Sequence, residues 1–309
     1  MAKELGERIG LHQTGLIVWS NQPESAAVIS EGFEKVREAG VRADLISPAQ
    51  ADELEPEIRI PSDVLLVGYR PDDGYITGPT MVAAALRAAR DHGALVRPNT
   101  RVVEILQSEG KTTGVRTESG EVLGAEVVVV AAGAATGSLV ATGGGLVPMV
   151  APSHRGSDAI GLIVTTDPCA SLLQHVVVND EIMFRPDGGG RLLLHSFEID
   201  PKVSLEDAPA QLSAHAEEVA TITAKFLPQD VCLTVNSAKI GVRPLPIDGL
   251  AVVGPIQELK GLYTAVSHSG MTLGPLLGEL VAEEVFFERP ASLLDPFRPD
   301  RFTSRQAAN

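Results

Sequence analysis

AEVVVVAAGAAT, residues 125–136, is the stretch that decides the fold. Four consecutive valines, Val127 to Val130, leave no polar face. The run therefore predicts a strand buried on both sides, as in a parallel sheet covered by helices. Small residues follow at once, and Gly133 permits a tight turn. A second apolar strand, Leu262–Val266, runs into His268-Ser269-Gly270-Met271-Thr272 and then a helix over about 274–287. Two strand–loop–helix junctions of this kind are α/β texture.

Between them the texture changes. Apolar strands are expected at 160–164, 175–178, 182–184, 191–194 and 231–235, interrupted by one helix over about 211–226. That pattern suggests an α+β layer on an antiparallel sheet. Upstream, residues 1–9 read as a helix end and Leu16, Ile17, Val18 and Trp19 as a strand. Ala26, Ile29, Phe33 and Val36 follow helical spacing, and Gly40 closes the run. Ser47-Pro48-Ala49-Gln50 is a capping-box pattern. Pro79 opens a helix that Gly93 ends, and short strands are expected at 94–97, 101–105, 114–117 and 121–123. Residues 302–309 read as a frayed tail. The α/β texture thus occurs in two separate stretches, which predicts a discontinuous two-domain chain. Residues 66–150 and 246–309 form one domain, and 10–65 and 151–245 the other.

Composition narrows the function classes. Of 309 residues, 44% are hydrophobic and 21% charged, with 25 Lys plus Arg against 40 Asp plus Glu, a formal charge of −15. So acidic a chain is a poor match for nucleic acid, whose phosphates need a basic surface. The two cysteines, Cys169 and Cys232, sit in apolar stretches and read as buried thiols, not as a disulfide or a zinc site. No apolar run approaches the roughly 20 residues of a membrane span, and the first residues lack a signal-like apolar region, so the cytoplasm is the expected location. There is no G-x-S-x-G elbow, Walker A loop or H-E-x-x-H motif, and the seven histidines show no ligand spacing. Hydrolytic and metal chemistry have little support.

The informative constellation is C-terminal: GVRPLPIDGLAVVGP (241–255), then KGLYTAVSHSGMTLGPLLGELVAEEV (260–285). A strand–loop–helix junction aims backbone N–H groups and the positive end of a helix dipole outward, where negative charge is stabilised. With AEVVVVAAGAAT and DDGYITGPTMVAAALRAARDHGALVRPNTRVVEI (72–105), these segments resemble, in order and spacing, the D-amino-acid-oxidase superfamily of FAD-dependent oxidoreductases. The nearest branch is that of glycine oxidase and sarcosine oxidase.

The resemblance implies an α/β, Rossmann-like FAD-binding domain over 66–150 and 246–309. It implies a substrate domain over 10–65 and 151–245. The activity would be oxidation of the C–N bond of an amino acid or secondary amine to an imine, by hydride transfer to flavin. Arg243 stands where the branch pairs an arginine with the substrate carboxylate; an ion pair at a domain junction is the alternative. Met183 falls near a position facing the substrate, or is a core methionine. Val103 would reach the adenine side of FAD, Ala132 and Gly133 the pyrophosphate. Gly254 and the loop His268, Ser269, Gly270, Met271 and Thr272 would line the cofactor, unless His268 merely starts the helix.

One departure stands out. The family opens with strand, G-x-G-x-x-G, helix, and no such spacing exists in these 309 residues. The α/β domain is expected to lack its first βαβ unit, which would leave both apolar strands with unpaired backbone. A second polypeptide supplying the G-x-G-x-x-G unit, a shortened reading frame, and loss of flavin binding with conversion to a non-catalytic interaction subunit are the three explanations. In each, FAD binding by this chain alone is expected to be weak.

Overall fold

The computed structural model describes residues 9–306. The chain divides into two compact units, one holding 86–151 and the chain from 242 onward, the other residues up to 85 and 152–241. In chain order, β1 (Leu11–His12) and β2 (Leu16–Ser20) precede α1 (Pro23–Glu38). Proline in its first turn and Lys35 and Arg37 in its last suit both ends of α1. After β3 (Asp44–Ile46), α2 (Pro48–Leu54) starts with the expected capping box: Ser47 Oγ accepts from Gln50 N, and Gln50 Oε1 accepts from Ser47 N. Next come β4 (Leu66–Arg70), β5 (Tyr75–Ile76) and α3 (Gly78–Asp91). The strands β6 (Val102–Ser108), β7 (Lys111–Thr117), β8 (Val122–Gly124) and β9 (Val128–Val130) follow, then α4 (Thr136–Thr142). Then run β10 (Ile160–Thr166), β11 (Val176–Val178), β12 (Ile182–Pro186), β13 (Leu192–Ser196), α5 (Pro209–Ala224) and β14 (Val235–Val242). The last elements are β15 (Val252–Pro255), β16 (Leu262–Val266), α6 (Gly270–Phe287) and α7 (Asp300–Gln306).

Several expectations need correction. No strand forms at 94–97, where Leu95 is exposed in a loop. The strand expected at 231–235 begins only at Val235; Val231 closes a turn onto Pro228 and is buried without ladder bonds. Cys232 is therefore exposed and Cys169 half-buried, not core thiols. The tail is not frayed from residue 302, because α7 buries Phe302 against Val252 and Leu262. The helix end expected at 1–9 lies outside the described residues except for Ile9, which is coil.

The second unit is built on an eight-stranded sheet, ordered β14-β10-β13-β12-β11-β2-β4-β3. From β10 to β3 the neighbours pair antiparallel except where β11 runs parallel to β2, with Val177 beside Ile17. Ile17, Leu162, Phe184 and Leu194 are fully buried and cluster with Ala216 and Val219 of α5. Residues 66–85 group here and not with the other α/β segments, because β4 pairs with both β2 and β3. A buried carboxylate anchors one end: Glu55 accepts from His175 N (3.0 Å) and Gln174 N (2.7 Å) and bonds His175 Nδ1 (2.9 Å). Burial raises its pKa, but these bonds, led by the His175 ring, outweigh that and hold it below the ordinary value.

The first unit holds two three-stranded sheets, β15-β16-β9 and β6-β7-β8. β16 sits between its neighbours and is buried, so it does not expose the apolar face expected of it. β9 is at the edge: Val127 and Val129 remain 44% and 40% exposed, against the expectation of burial on both sides. Among the described residues no helix is long and apolar enough to cross a membrane, and no cluster could hold a metal ion.

Gly68 gives a direct test of the packing of α1 on the larger sheet. A Cβ there would stand 2.5 Å from Phe33 Cζ. Gly68→Ala should lower the unfolding free energy by about 1–3 kcal/mol through overpacking. The loss should shrink in a Phe33→Leu background, as urea unfolding of the double-mutant cycle would show. Equal losses in both backgrounds would contradict the contact.

Candidate functional site

β16 pairs with β9 in parallel, with Leu262 beside Val128 and Thr264 beside Val130. Their carboxyl ends therefore emerge at the same end of the sheet, the end where open α/β sheets bind ligands. β9 delivers Ala131, Ala132 and Gly133 there, and β16 delivers Ser267, His268 and Ser269. Gly133 has φ +58°, and the space a Cβ would occupy is open. At the other junction Ser267 Oγ accepts from Ser269 N (3.1 Å), while Thr272 N and Leu273 N both donate to Ser269 O. Ser269 makes no side-chain cap bond, so the start of the 18-residue α6 presents backbone donors and the positive end of its dipole.

His268, Ser269, Gly270, Met271 and Thr272 are all exposed. Val103 and Ala132 line one hollow of about 720 Å³, with Arg101, Val128, Ala135 and Ser138. Gly254 is placed otherwise: it is buried in β15 with φ +150°, and a Cβ would press on Pro299 and Arg298, so packing accounts for the glycine. Arg243 is half-buried just after β14, and its carbonyl accepts from Leu245 N. Met183 is half-buried in β12, in the second unit.

The structure adds a feature beyond these residues. No strand pairs with the outer edge of β9 among the described residues. A hollow flanks it on each face: the one above, and one of about 440 Å³ lined by Val127, Val129, Gly278, Val281, Val285 and Phe286. On α6 only Val281 is buried, while Met271, Leu273, Leu276, Phe286 and Phe287 are exposed. Gly270, Gly274 and Gly278 have nothing within 4 Å of a built Cβ. Their four-residue spacing is the sequence signal for this open stripe. A helix so apolar belongs in a buried setting.

The amino end of the same sheet is closed by a polar network. Glu284 accepts from both Arg298 Nη groups, from the Tyr263 hydroxyl and from Ala291 N (2.8 Å). Burial pushes Glu284 up, but the bonds from Arg298, Tyr263 and Ala291 outweigh that and bring it down to about 2. Burial and the Glu284 charge push Tyr263 up. A hollow of about 960 Å³ opens here beside Lys111, Glu126 and Lys260, at the strands' amino ends and away from the ligand-binding end.

Residues 1–284 match the family described as FAD dependent oxidoreductase. The chain belongs to this family. It is 30% identical to glycine oxidase of Geobacillus kaustophilus (strain HTA426), an alignment covering 96% of this chain and 77% of that protein. The crystal structure of glycine oxidase from that organism superposes with a TM-score of 0.76 at 26% identity, over 97% of this chain and 78% of that one. L-proline dehydrogenase from P. horikoshii shares the fold, with a TM-score of 0.82 at 22% identity over 98% of this chain and 79% of that one. Hydrogen cyanide synthase subunit HcnC of Pseudomonas aeruginosa is 26% identical over 76% of this chain and 55% of that protein.

FAD presents two ends to satisfy. Toward the ring end the described residues offer an uncapped helix start at 268–272 with an open glycine stripe beside it. Toward the pyrophosphate they offer only the small Ala132-Gly133 turn, open where a Cβ of Gly133 would stand. No glycine-rich strand-to-helix turn of the required spacing exists in the sequence, and the edge of β9 beside the fitting residues is bare.

The Glu284 network yields a pH prediction. A carboxylate whose folded pKa lies below the ordinary 4.5 contributes stability above that ordinary value. The contribution is lost as pH falls through about 2. Glu284→Gln should flatten the fall in stability between those two limits, followed by urea unfolding against pH. An unchanged acid limb would exclude the network as its source.

Proposed function

We propose that the chain is the larger part of an FAD-dependent oxidoreductase that oxidises the C–N bond of an amino acid or secondary amine to an imine. The observation carrying this is the family match over 1–284, joined to the parallel β9–β16 pair that brings 131–133 and 267–272 to one end of a sheet. In this reading the first unit binds the cofactor and the second the substrate. When bound, the flavin accepts a hydride from the carbon that bears the nitrogen. The start of α6 stabilises negative charge through its free N–H groups and dipole. Arg243 pairs with the substrate carboxylate, a contact its guanidinium makes bidentately. Met183 contributes an apolar contact to the substrate.

The bare β9 edge supplies the partner. We propose that a second polypeptide, carrying strand, G-x-G-x-x-G turn and helix, adds its strand parallel to β9 and supplies the phosphate-binding backbone. Two apolar hollows flanking one unpaired strand are the surface such a unit covers. The similarity to a relative that is itself a named subunit points the same way.

The test is flavin retention. The purified chain mixed with FAD and passed through gel filtration should retain little yellow colour. Co-expression with a strand–GxGxxG–helix polypeptide should give retained flavin that amino acids or secondary amines bleach. Stoichiometric retention by the chain alone would overturn the partner; a reconstituted flavoprotein that no amine bleaches would overturn the activity. Val129→Lys, which places a charge on the free edge, should abolish the rescue. Arg243→Met should lower kcat/KM of the reconstituted protein by roughly ten- to a hundredfold, the worth of a charged hydrogen bond.

A further inference from the structure

We infer that Arg301, acting through Asp248, is a positioning residue for Arg243. The inference rests on the reading of Arg243 as the partner of the substrate carboxylate. All three residues lie in the first unit.

The segment that joins Arg243 to Asp248 is stiff by sequence: Arg243-Pro244-Leu245-Pro246-Ile247-Asp248. Each proline fixes its own φ and pushes the residue before it out of the helical region. Residues 243 to 246 therefore keep little backbone freedom. The Leu245 N–H donates back to Arg243 O at 2.8 Å and narrows it further. Beyond that point the segment is pinned to residues 148–150. Val150 N donates to Leu245 O (2.8 Å), Ile247 N donates to Pro148 O (3.2 Å), and Pro246 bridges Met149. Val147 and Met149 pack in the cluster around Leu262, so this support is itself fixed. A turn ends the segment, with Gly249 N donating to Pro246 O at 2.9 Å and Gly249 at φ +75°.

Asp248 sits in that turn and is held from far along the chain. Arg301 of α7, 53 residues onward, grips it with a two-point fork, Nε to Oδ2 at 2.8 Å and Nη2 to Oδ1 at 3.1 Å. Leu250 N donates to the same carboxylate at 3.2 Å. The two side chains are only 16% and 18% exposed, so water competes little for the fork. The Arg301 guanidinium, against burial and with help from Leu250 N, holds the Asp248 carboxyl below the usual carboxylate range. Arg301 is fixed in turn. Its Nη2 also donates to Ala251 O (3.0 Å) and its Nη1 to Arg298 O (3.0 Å), while its guanidinium lies over the Phe302 ring, 4.3 Å from the centroid. Those contacts would dock α7 by themselves. The fork adds a charged grip on the turn to which Arg243 is tethered. A stiff segment clamped at its far end passes any shift there back to its start. A misplacement of about 1 Å is costly for a guanidinium that must meet a carboxylate at two points.

Calorimetric titration of the full chain with methoxyacetate, an unreactive carboxylate, tests this; methoxyacetamide is the uncharged control. Wild type should bind the acid in preference to the amide. Asp248→Asn leaves Arg301 its carbonyl acceptors, and Arg301→Lys keeps the charge without the fork. Each should weaken methoxyacetate binding roughly tenfold. Neither should weaken it further in an Arg243→Met background, because the effect runs through Arg243. Amide hydrogen exchange at Leu245 and Gly249 should quicken in both variants. Urea unfolding of the same variants separates positioning from stability. Variants that lose stability yet bind methoxyacetate as wild type does would overturn the positioning role and leave Arg301 a docking residue for α7. No binding by wild type, or unchanged binding in Arg243→Met, would overturn the reading of Arg243 and the inference with it. A loss in Arg243→Met without a loss in the other two variants sinks the inference alone.

Discussion

The parallel pairing of β16 with β9 is the contact on which the first unit depends. A parallel pair sends both chains out at one end, and here both chains turn at once into helices. That single register decides which small residues and which helix start share the ligand-binding end. It equally decides that Tyr263 stands near the opposite end, where Glu284 and Arg298 bind it. Shifting the register by one residue would turn the buried Val130 outward and bring an exposed valine into the cluster with Ile105, Val140 and Leu262.

The same pairing creates the constraint the chain leaves unmet. A strand of valines at the edge of a mixed sheet, paired in parallel on its inner side only, presents unpaired backbone and apolar side chains together, the combination native proteins normally cover. α6 repeats the imbalance, with one buried residue among its eighteen. Both sit beside the place where phosphate-binding backbone is lacking. The strand–helix unit proposed above would cover both the bare edge and the exposed side of α6.

Much of this was legible in the residues, for stated reasons. The four-valine run, the capping box at Ser47 and the strand Leu262–Val266 carry strong local signals, and each forms close to where its pattern places it. The Ala-Gly turn and the 268–272 loop stand directly after apolar strands, which is why the sequence singles them out as candidates. What failed depended on distant partners. Burial of β9 on both faces presumes a neighbour on its outer edge, and none pairs there among the described residues. The strand expected at 231–235 gave way because Val231 finds its burial in a turn. The membership of residues 66–85 was decided by β4 pairing with strands on both sides.

β12 shows how fold and recognition divide a single strand. Its even-numbered residues Ile182 and Phe184 are fully buried and fixed by packing, where any change of volume costs stability. Its odd-numbered residues Met183 and Arg185 face away from that core and can change without opening a cavity in it. An arginine at such a position is costly to immobilise, because long side chains surrender rotamer freedom. The Tyr75 stack and the two Nη1 acceptors offset that cost. Packing thus constrains the even-numbered positions of β12 more tightly than the odd-numbered ones.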